Sequence, residues 1–195
     1  RLFILWIADI IIQERVNIDF SAKQNLPGYA EGKYLDSIAE IFKDTYRLEP
    51  EAARTTFRFT LSIKLAAATV IPAGTRISAG EEIIFSTLDA LTIPAGELTG
   101  DVAAECLTVG EIGNGFVPGQ ITRLVDIFPY FERVENITES AGGADWESDA
   151  AFYARMRESM ETFSTAGPLG AYEYYAKTAS AAIADAKAIG PEEEP

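Results

Sequence analysis

A change in apolar spacing near Thr55 constrains the fold of this chain more than any other sequence feature. Beyond that point apolar and polar residues alternate, the apolar ones being Phe57, Phe59, Leu61 and Ile63. A period of two is typical of a half-buried strand. Before Pro50 and after Trp146 the apolar residues recur at helical spacing instead. The sequence therefore predicts an α+β chain in which a β domain lies between two helical parts.

Three parts follow from this pattern. We expect N-terminal helices forming an arm over residues 1–50, and a small β domain, sandwich or barrel-like, over residues 51–140. An α-rich α+β part should cover residues 141–195, with helices over 146–163 and 171–182 and a short strand over 183–189. Within the β domain, further β-like runs cover 70–71, 83–85, 91–93, 102–109 and 121–127. Because the chain opens inside an apolar run, we expect a fragment of a longer protein whose C-terminal part is incomplete.

The opening apolar run, Leu2–Ile12, is interrupted only by Asp9. It falls short of the ~20 apolar residues that a bilayer span needs, so a membrane anchor is not expected. A basic segment and a small-residue cleavage site are absent, which argues against a signal peptide. A run this apolar does not stay solvated. We therefore expect it to bury against the rest of the domain or against a partner chain.

Turn sequences punctuate the β domain. Val70–Thr75 and Thr92–Glu97 are near copies that share Ile-Pro-Ala-Gly, and each predicts a tight turn, with proline fixing one φ and glycine supplying a positive φ. The glycine-rich segment Gly110–Gly115 superficially resembles a phosphate loop. It lacks the Gly-Lys-Ser/Thr ending, so we interpret it as turns rather than as a nucleotide site.

Composition excludes several kinds of site. The net charge is −14 and the 16 basic residues form no run, which disfavours a nucleic-acid surface. The absence of histidine removes Ser-His-Asp and Cys-His catalysis and nearly all zinc sites. Cys106, the single cysteine, has no partner for an intrachain disulfide and no histidine to activate it, so we predict a small core residue.

Three carboxylates at alternating positions, Asp145, Glu147 and Asp149, form the sharpest candidate for a ligand site. Oxygen-rich loops of this kind bind Ca²⁺, but the spacing lacks the Asp-x-Asp-x-Asp-Gly loop and a bidentate Glu at its twelfth position. A helix N-terminus capped by Ser148 or Asp149 explains the same acids. We therefore predict no metal, no cofactor and no catalytic residue.

Glycine-rich breaks beside the C-terminal helices suggest flexible points. Glycine adopts backbone angles closed to other residues, so these breaks are candidate hinges, and the tyrosine that follows the second break is a candidate interface residue. The candidate hinge and interface residues are Gly142, Gly143, Gly167, Pro168, Gly170 and Tyr172.

A series of motifs in a fixed order resembles the baseplate J-like family of contractile phage tails. The segments are Ala22–Asp36, Arg47–Phe59, the Ile-Pro-Ala-Gly-Thr turn, Gly113–Ile121, Val134 with Asn136, Gly142–Asp149 and Ala166–Tyr172. Each motif is weak alone, but their order together is specific. The resemblance covers most of the chain.

This resemblance implies a structural, non-enzymatic wedge protein of the baseplate, from a Mu-like phage or prophage. The expected partners are other baseplate wedge proteins and copies of the chain itself, with no nucleic acid, membrane or small-molecule substrate. Its expected location is the tail baseplate of the virion, assembled in the bacterial host cytoplasm. A contractile secretion or toxin-injection machine would carry the same sequence pattern.

Two other function classes stay open from the residues alone. A β-rich carbohydrate-binding or adhesin module would require an exposed aromatic platform. A hydrolase with paired carboxylates would require two acids ~5–10 Å apart in a cleft.

Overall fold

A computed structural model describes residues 2–41, 45–80, 82–160 and 169–190 of the chain. It confirms the α+β class, with helices on either side, along the sequence, of a barrel-like β region. Helices α1, Leu2–Lys23, and α2, Lys33–Ala39, precede the strands. The strands are β1 Arg54–Leu61, β2 Thr69–Ile71, β3 Arg76–Ser78, β4 Ile84–Thr87, β5 Leu91–Ile93, β6 Thr99–Cys106, β7 Arg123–Leu124 and β8 Phe131–Asn136. Helices α3, Asp149–Glu158, and α4, Leu169–Thr178, follow.

The described residues divide into two compact units. Those of 1–48, 147–179 and 183–195 form the helical unit, and those of 49–146 and 180–182 form the barrel unit. The chain therefore passes from the helical unit to the barrel unit at residues 48–49 and returns at residues 146–147.

Six antiparallel strands form the main sheet of the barrel unit, in the order β7-β3-β4-β6-β1-β8. The two outer strands, β7 and β8, also approach each other, so the sheet nearly closes on itself. Strand β1 lies between its partners in register Phe57↔Val102 and Phe59↔Val134. A bulge at Thr60/Leu61 ends the regular pairing with β8. Such near closure leaves little exposed strand edge.

The two near-copied segments pair with each other. Strand β2 lies antiparallel to β5 in a separate two-stranded sheet, with Thr69 opposite Ile93. Gly74 and Gly96, at the predicted turns, have φ angles of 81° and 85°, which confirms the turn prediction.

Alternating residues of β1 fill the barrel core, as the sequence period predicts. Phe57, Phe59 and Leu61 are buried with residues of the facing strands, and Phe57 packs edge-on against Phe85 at 5.9 Å. Cys106 is buried in the same core, in agreement with its predicted role. Ile63, predicted to continue the alternation, lies beyond the strand end and is exposed.

A separate small core holds the helical unit together. Leu35 and Ala39 of α2 pack with Phe152 and Met156 of α3, and Ala30 completes the cluster. In the sequence, the helical spacing of Phe152, Met156, Met160 and Phe163 predicts one apolar stripe, and the first two of these residues lie in this core. Met160 of the same stripe is half exposed, and Phe163 lies outside the described residues.

Several predicted boundaries need correction. Helix α3 begins at Asp149 rather than Trp146, because the Ser148 hydroxyl caps it by accepting from the Ala151 amide at 3.3 Å. The predicted strand over 183–189 is absent from the described residues, which have no regular structure there. That alanine-rich segment has no cross-strand partner, and its Ala188 amide is satisfied by the Glu173 carboxylate instead. The run over 121–127 supplies only the two-residue strand β7, since the Ile121 amide donates to the Asn136 side chain rather than to a strand.

Candidate functional site

Helix α1 is an uncovered apolar helix. None of its residues is buried, and Leu2, Phe3 and Ile4 are 85%, 66% and 69% exposed. Since the run Leu2–Ile12 extends over three turns, its apolar residues point to every side of the helix. The prediction that this run buries against the rest of its own domain is therefore wrong, and its burial by a partner chain stays a prediction.

The two halves of α1 differ in character. The second half carries polar pairs one turn apart: Gln13 donates to Asn17 at 3.3 Å, and Lys23 pairs with Asp19 at 2.7 Å. These pairs suit a solvated surface. A helix that is apolar all round belongs inside a larger assembly or a bilayer. Among the described residues, no helix combines the length and the apolarity needed to cross a membrane.

Arg47 joins three segments of the helical unit. Its guanidinium donates to the Asp36 carboxylate of α2 at 2.7 Å and to the Asp149 carboxylate of α3 at 2.6 Å. It also donates to the Glu147 backbone carbonyl at 2.6 Å, and it lies 4.8 Å from the centre of the Phe152 ring. One arginine thus fixes the residues that immediately precede the barrel unit against both helices.

A second arginine completes this charged cluster. Arg155 of α3 makes a bidentate pair with Glu147 at 2.8 and 2.7 Å, and the two side chains are only 4% and 5% exposed. Arg155 also donates to the Tyr46 carbonyl and lies 5.4 Å from the Phe152 ring, on which Arg47 stacks as well. Glu147 Oε2, which accepts from Arg155, also accepts from the Leu48 amide at 3.0 Å. We call Asp36, Arg47, Glu147, Asp149 and Arg155 the arginine cluster.

The three alternating carboxylates, Asp145, Glu147 and Asp149, have different partners. Glu147 and Asp149 belong to the arginine cluster, whereas Asp145 accepts from the Glu111 amide at 3.1 Å within the barrel unit. Asp149 also accepts from the Gly32 amide at 3.1 Å. Across the part of the chain that the structure describes, no group of three or more acidic, cysteine or histidine side chains is placed to hold a metal ion. Structural roles thus account for the acids that the sequence singled out.

Hydrogen bonding lowers the pKa of Asp149. The Gly32 amide is the largest cause, and the Arg47 guanidinium adds to it against partial desolvation. Because the folded pKa lies below the unfolded value of about 3.9, this stabilisation is present above that value and is lost as the pH falls through the folded pKa.

Asp149→Asn should therefore lower the stability of the helical unit at neutral pH and flatten its dependence on pH below about 4. Since the Asp149 side chain is 42% exposed, we expect a loss of at most about 1 kcal/mol. Urea unfolding followed by circular dichroism at 222 nm measures it. Asp101→Asn is the control, because Arg58 lowers the pKa of Asp101 in the barrel unit. This variant should leave the acid dependence of the helical unit unchanged. An unchanged acid dependence in Asp149→Asn would contradict the assignment.

The candidate hinge residues have different surroundings. Gly142 has a φ of 87° and open space around it. Gly143 is held by the Asn114 side chain, which accepts from its amide at 2.8 Å and donates to its carbonyl at 2.7 Å. Gly170 lies inside α4 and Tyr172 of that helix is exposed, while Gly167 and Pro168 lie outside the described residues. Motion at these positions stays a prediction.

Gly143 has a packing reason to be glycine. A Cβ there would clash with the Gly110 carbonyl oxygen and would lie 2.9 Å from the Asn114 side chain. We expect Gly143→Ala to destabilise the barrel unit by about 1–3 kcal/mol, as overpacking does. Gly142→Ala is the matched control, with strain of about 1–2 kcal/mol from its positive φ alone. Equal urea midpoints for Gly143→Ala and the unaltered chain would refute the close-packing explanation.

The glycine-rich segment Gly110–Gly115 is a set of turns, as predicted. Glu111–Gly113 forms a short 3₁₀ turn, and Gly110 and Gly115 have φ angles of 106° and 81°. Gly113 packs against Ala53 and Cys106 so closely that a Cβ would lie 2.8 Å from the Ala53 Cβ. The segment therefore packs beside the start of β1 and the end of β6.

Sequence reasoning missed the arginine cluster. The motifs Ala22–Asp36, Arg47–Phe59 and Gly142–Asp149 were recognised separately, and the structure brings Asp36, Arg47 and Asp149 of these motifs together. The alternating carboxylates of Asp145–Asp149 were the only local sequence signal for this cluster. Nothing in the spacing pairs Glu147 with Arg155 rather than with another cation.

Comparison with known proteins concerns mainly the barrel. Residues 56–143 match the family model described as Baseplate J-like protein barrel domain. Over 101 residues the chain is 28% identical to baseplate protein gp47 of Escherichia phage Mu, a match that covers 52% of this chain and 28% of that protein. The chain thus matches less than a third of the length of this relative. A solved structure, the six-fold symmetrised cryo-EM baseplate of the anti-feeding prophage, aligns with a TM-score of 0.48 at 14% identity, over 78% of this chain and 45% of that one.

Proposed function

We propose that this chain, which belongs to the baseplate J-like proteins through the barrel domain at residues 56–143, is a structural wedge subunit in the baseplate of a contractile tail. The match to a phage Mu baseplate protein supports a baseplate role. Wedge position around a central hub, location in the virion and assembly in the host cytoplasm are parts of this proposal. So are the absence of catalysis and of nucleic-acid or membrane binding.

The observation that carries an assembly role is the uncovered helix α1. A monomeric soluble protein rarely exposes a contiguous apolar surface larger than a few hundred Å². Leu2, Phe3, Ile4, Leu5 and Trp6 are each more than half exposed. Covering them from all sides requires more than one neighbouring element, because they point in every direction around the helix. We infer that helices of other baseplate subunits, including further copies of this chain, supply that cover.

The β6-β1-β8 face of the barrel suits solvent rather than an extensive dry interface. Arg58 pairs with Asp101 on the neighbouring strand at 2.7 Å, and Arg54 pairs with Glu105 at 3.7 Å. These cross-strand pairs are exposed, and charged residues are depleted from interface cores. The proposed contact region is therefore α1 and not the β6-β1-β8 face.

The experiment is complementation of a phage or prophage that lacks the gene. A variant with Leu5, Trp6 and Ile10 replaced by glutamine should leave the chain folded but abolish complete baseplates, so that electron microscopy finds few or no contractile tails. A variant with Gln13 and Asn17 replaced by alanine, in the polar half of the same helix, should assemble normally. Normal tails from the first variant would refute assembly through α1. Normal tails from a strain without the gene would refute the baseplate role itself.

A further inference from the structure

Two segments of the chain, residues 45–54 and 141–149, run antiparallel beside each other, and we call this pair the ribbon. In the barrel unit they are joined by backbone hydrogen bonds: the Glu51 amide donates to the Ala144 carbonyl at 2.8 Å, and the Ala144 amide donates back at 3.1 Å. A second bridge joins Arg54 and Ala141. Backbone hydrogen bonds in these two isolated β-bridges therefore hold this half of the ribbon together.

In the helical unit the same two segments are joined differently. Between residues 45–48 and 147–149, one backbone hydrogen bond is described, from the Glu147 amide to the Leu48 carbonyl at a long 3.3 Å. Side chains make further contacts, since the Leu48 amide donates to the Glu147 carboxylate and Arg47 donates to the Glu147 carbonyl. Arg155 reaches across to the Tyr46 carbonyl. Charged side chains therefore make most of the described contacts in this half, where backbone bridges make them in the other.

We propose that the arginine cluster is a releasable latch: it holds segments 45–48 and 147–149 together through charge pairs, and these segments separate while the backbone-paired half stays closed. The bridges in the barrel unit are made by backbone groups alone and do not depend on a charged side chain, whereas a side-chain network opens when one of its charges is lost. Arg47 is the critical member, because it contacts α2, α3 and the Glu147 backbone at once.

The charge balance of the cluster makes it sensitive to single changes. Two arginines face the three carboxylates of Asp36, Glu147 and Asp149. Removal of Arg47 leaves Asp36 and Asp149 beside each other without that guanidinium. Both acids are about two-fifths exposed, so water can enter once the arginine is gone. Local opening is then expected rather than loss of the whole fold, because apolar side chains pack both cores, and Arg47 overlies only the Phe152 ring among them.

The latch also changes where movement is expected. The candidate hinge at Gly142 and Gly143 lies in the backbone-paired half, where Asn114 holds Gly143 through two hydrogen bonds. The releasable half lies instead at residues 45–48 and 147–149. Any use of such a release during tail contraction rests on the proposed function, but the latch itself does not.

Hydrogen exchange of backbone amides in the whole chain tests the latch. In Arg47→Gln, the Leu48, Glu147 and Gly32 amides should exchange at least about tenfold faster, while the Glu51 and Ala144 amides keep their rates. Arg58→Gln, which removes an exposed arginine pair from the barrel, is the matched control and should leave the Leu48 amide unchanged. Asp36→Asn is a milder variant that should accelerate the same three amides by a smaller factor.

Two results would overturn the latch. In the first, Leu48 and Glu147 exchange at unaltered rates in Arg47→Gln. In the second, Glu51 and Ala144 accelerate as much as Leu48, which would mean that the ribbon opens as one piece. If Arg47→Gln does not fold, the same criteria apply to Asp36→Asn. Because no tail is needed, failure here leaves the baseplate role untouched, and failure of complementation leaves the latch untouched.

Discussion

Replacing Arg155 with methionine is expected to destabilise the helical unit by about 3–5 kcal/mol, because it leaves the buried Glu147 carboxylate without its counter-charge. The two side chains are 4% and 5% exposed and share a bidentate pair. The Tyr46 carbonyl loses a donor in the same variant. Urea unfolding followed by circular dichroism at 222 nm reports the helical unit, and a transition at the unaltered midpoint would show that the pair contributes little.

The double variant Glu147→Leu with Arg155→Met is the control for this experiment. Replacing both members of a buried ion pair by apolar side chains is often neutral. We expect it to recover most of the lost stability but not all, because the Leu48 amide and the Tyr46 carbonyl remain without their side-chain partners. A double variant as unstable as Arg155→Met alone would show that packing, rather than unpaired charge, causes the loss.

Phe85→Ala is expected to destabilise the barrel unit by about 3–5 kcal/mol, through lost burial and the cavity left behind. The Phe85 ring is fully buried and makes edge contacts with Phe57 at 5.9 Å and Phe116 at 6.1 Å. Near-ultraviolet circular dichroism during urea unfolding measures the loss of this packing.

Phe3→Ala is the matched control for the aromatic truncation. Phe3 is 66% exposed on α1, so in the isolated chain its loss should change stability by less than about 0.5 kcal/mol. If Phe3→Ala lowers the free energy of unfolding as much as Phe85→Ala does, α1 is covered in the isolated chain. A cost below about 1 kcal/mol for Phe85→Ala would contradict the assignment of the barrel core.

The sequence predicted the barrel core because β1 carries a complete signal. Its buried residues alternate with exposed or half-buried ones over the whole strand, so period and burial agree. Strand β3 was missed because three residues, Arg76–Ser78, are too few to show a period. Strand β8 was missed because Phe131–Asn136 has charged residues at three of its six positions, and only its neighbours in the sheet bury Val134.

The charged cluster escaped prediction for a different reason. Its members come from residues 36, 47, 147, 149 and 155, and the contacts between distant segments exist only once α2 and α3 pack together. Local spacing identified the acids and the Ser148 cap, since both are features of one helix terminus. Whether these acids bind a metal or form ion pairs depends on which cationic side chains lie next to them in the folded chain. Arg47 and Arg155 are those side chains, and their spacing from the acids in the sequence does not predict the ion pairs.

Photocrosslinking from α1 in purified contractile tails tests the assembly claim most directly. A photoreactive phenylalanine analogue at position 3 replaces Phe3, which is 66% exposed in the isolated chain. A probe at Arg58, on the charged outer face of the barrel, is the control. We predict that position 3 crosslinks in high yield to another baseplate protein or to a second copy of this chain, and that position 58 does not. Crosslinking from position 3 no better than from position 58, with the chain present in the tails, would contradict assembly through α1.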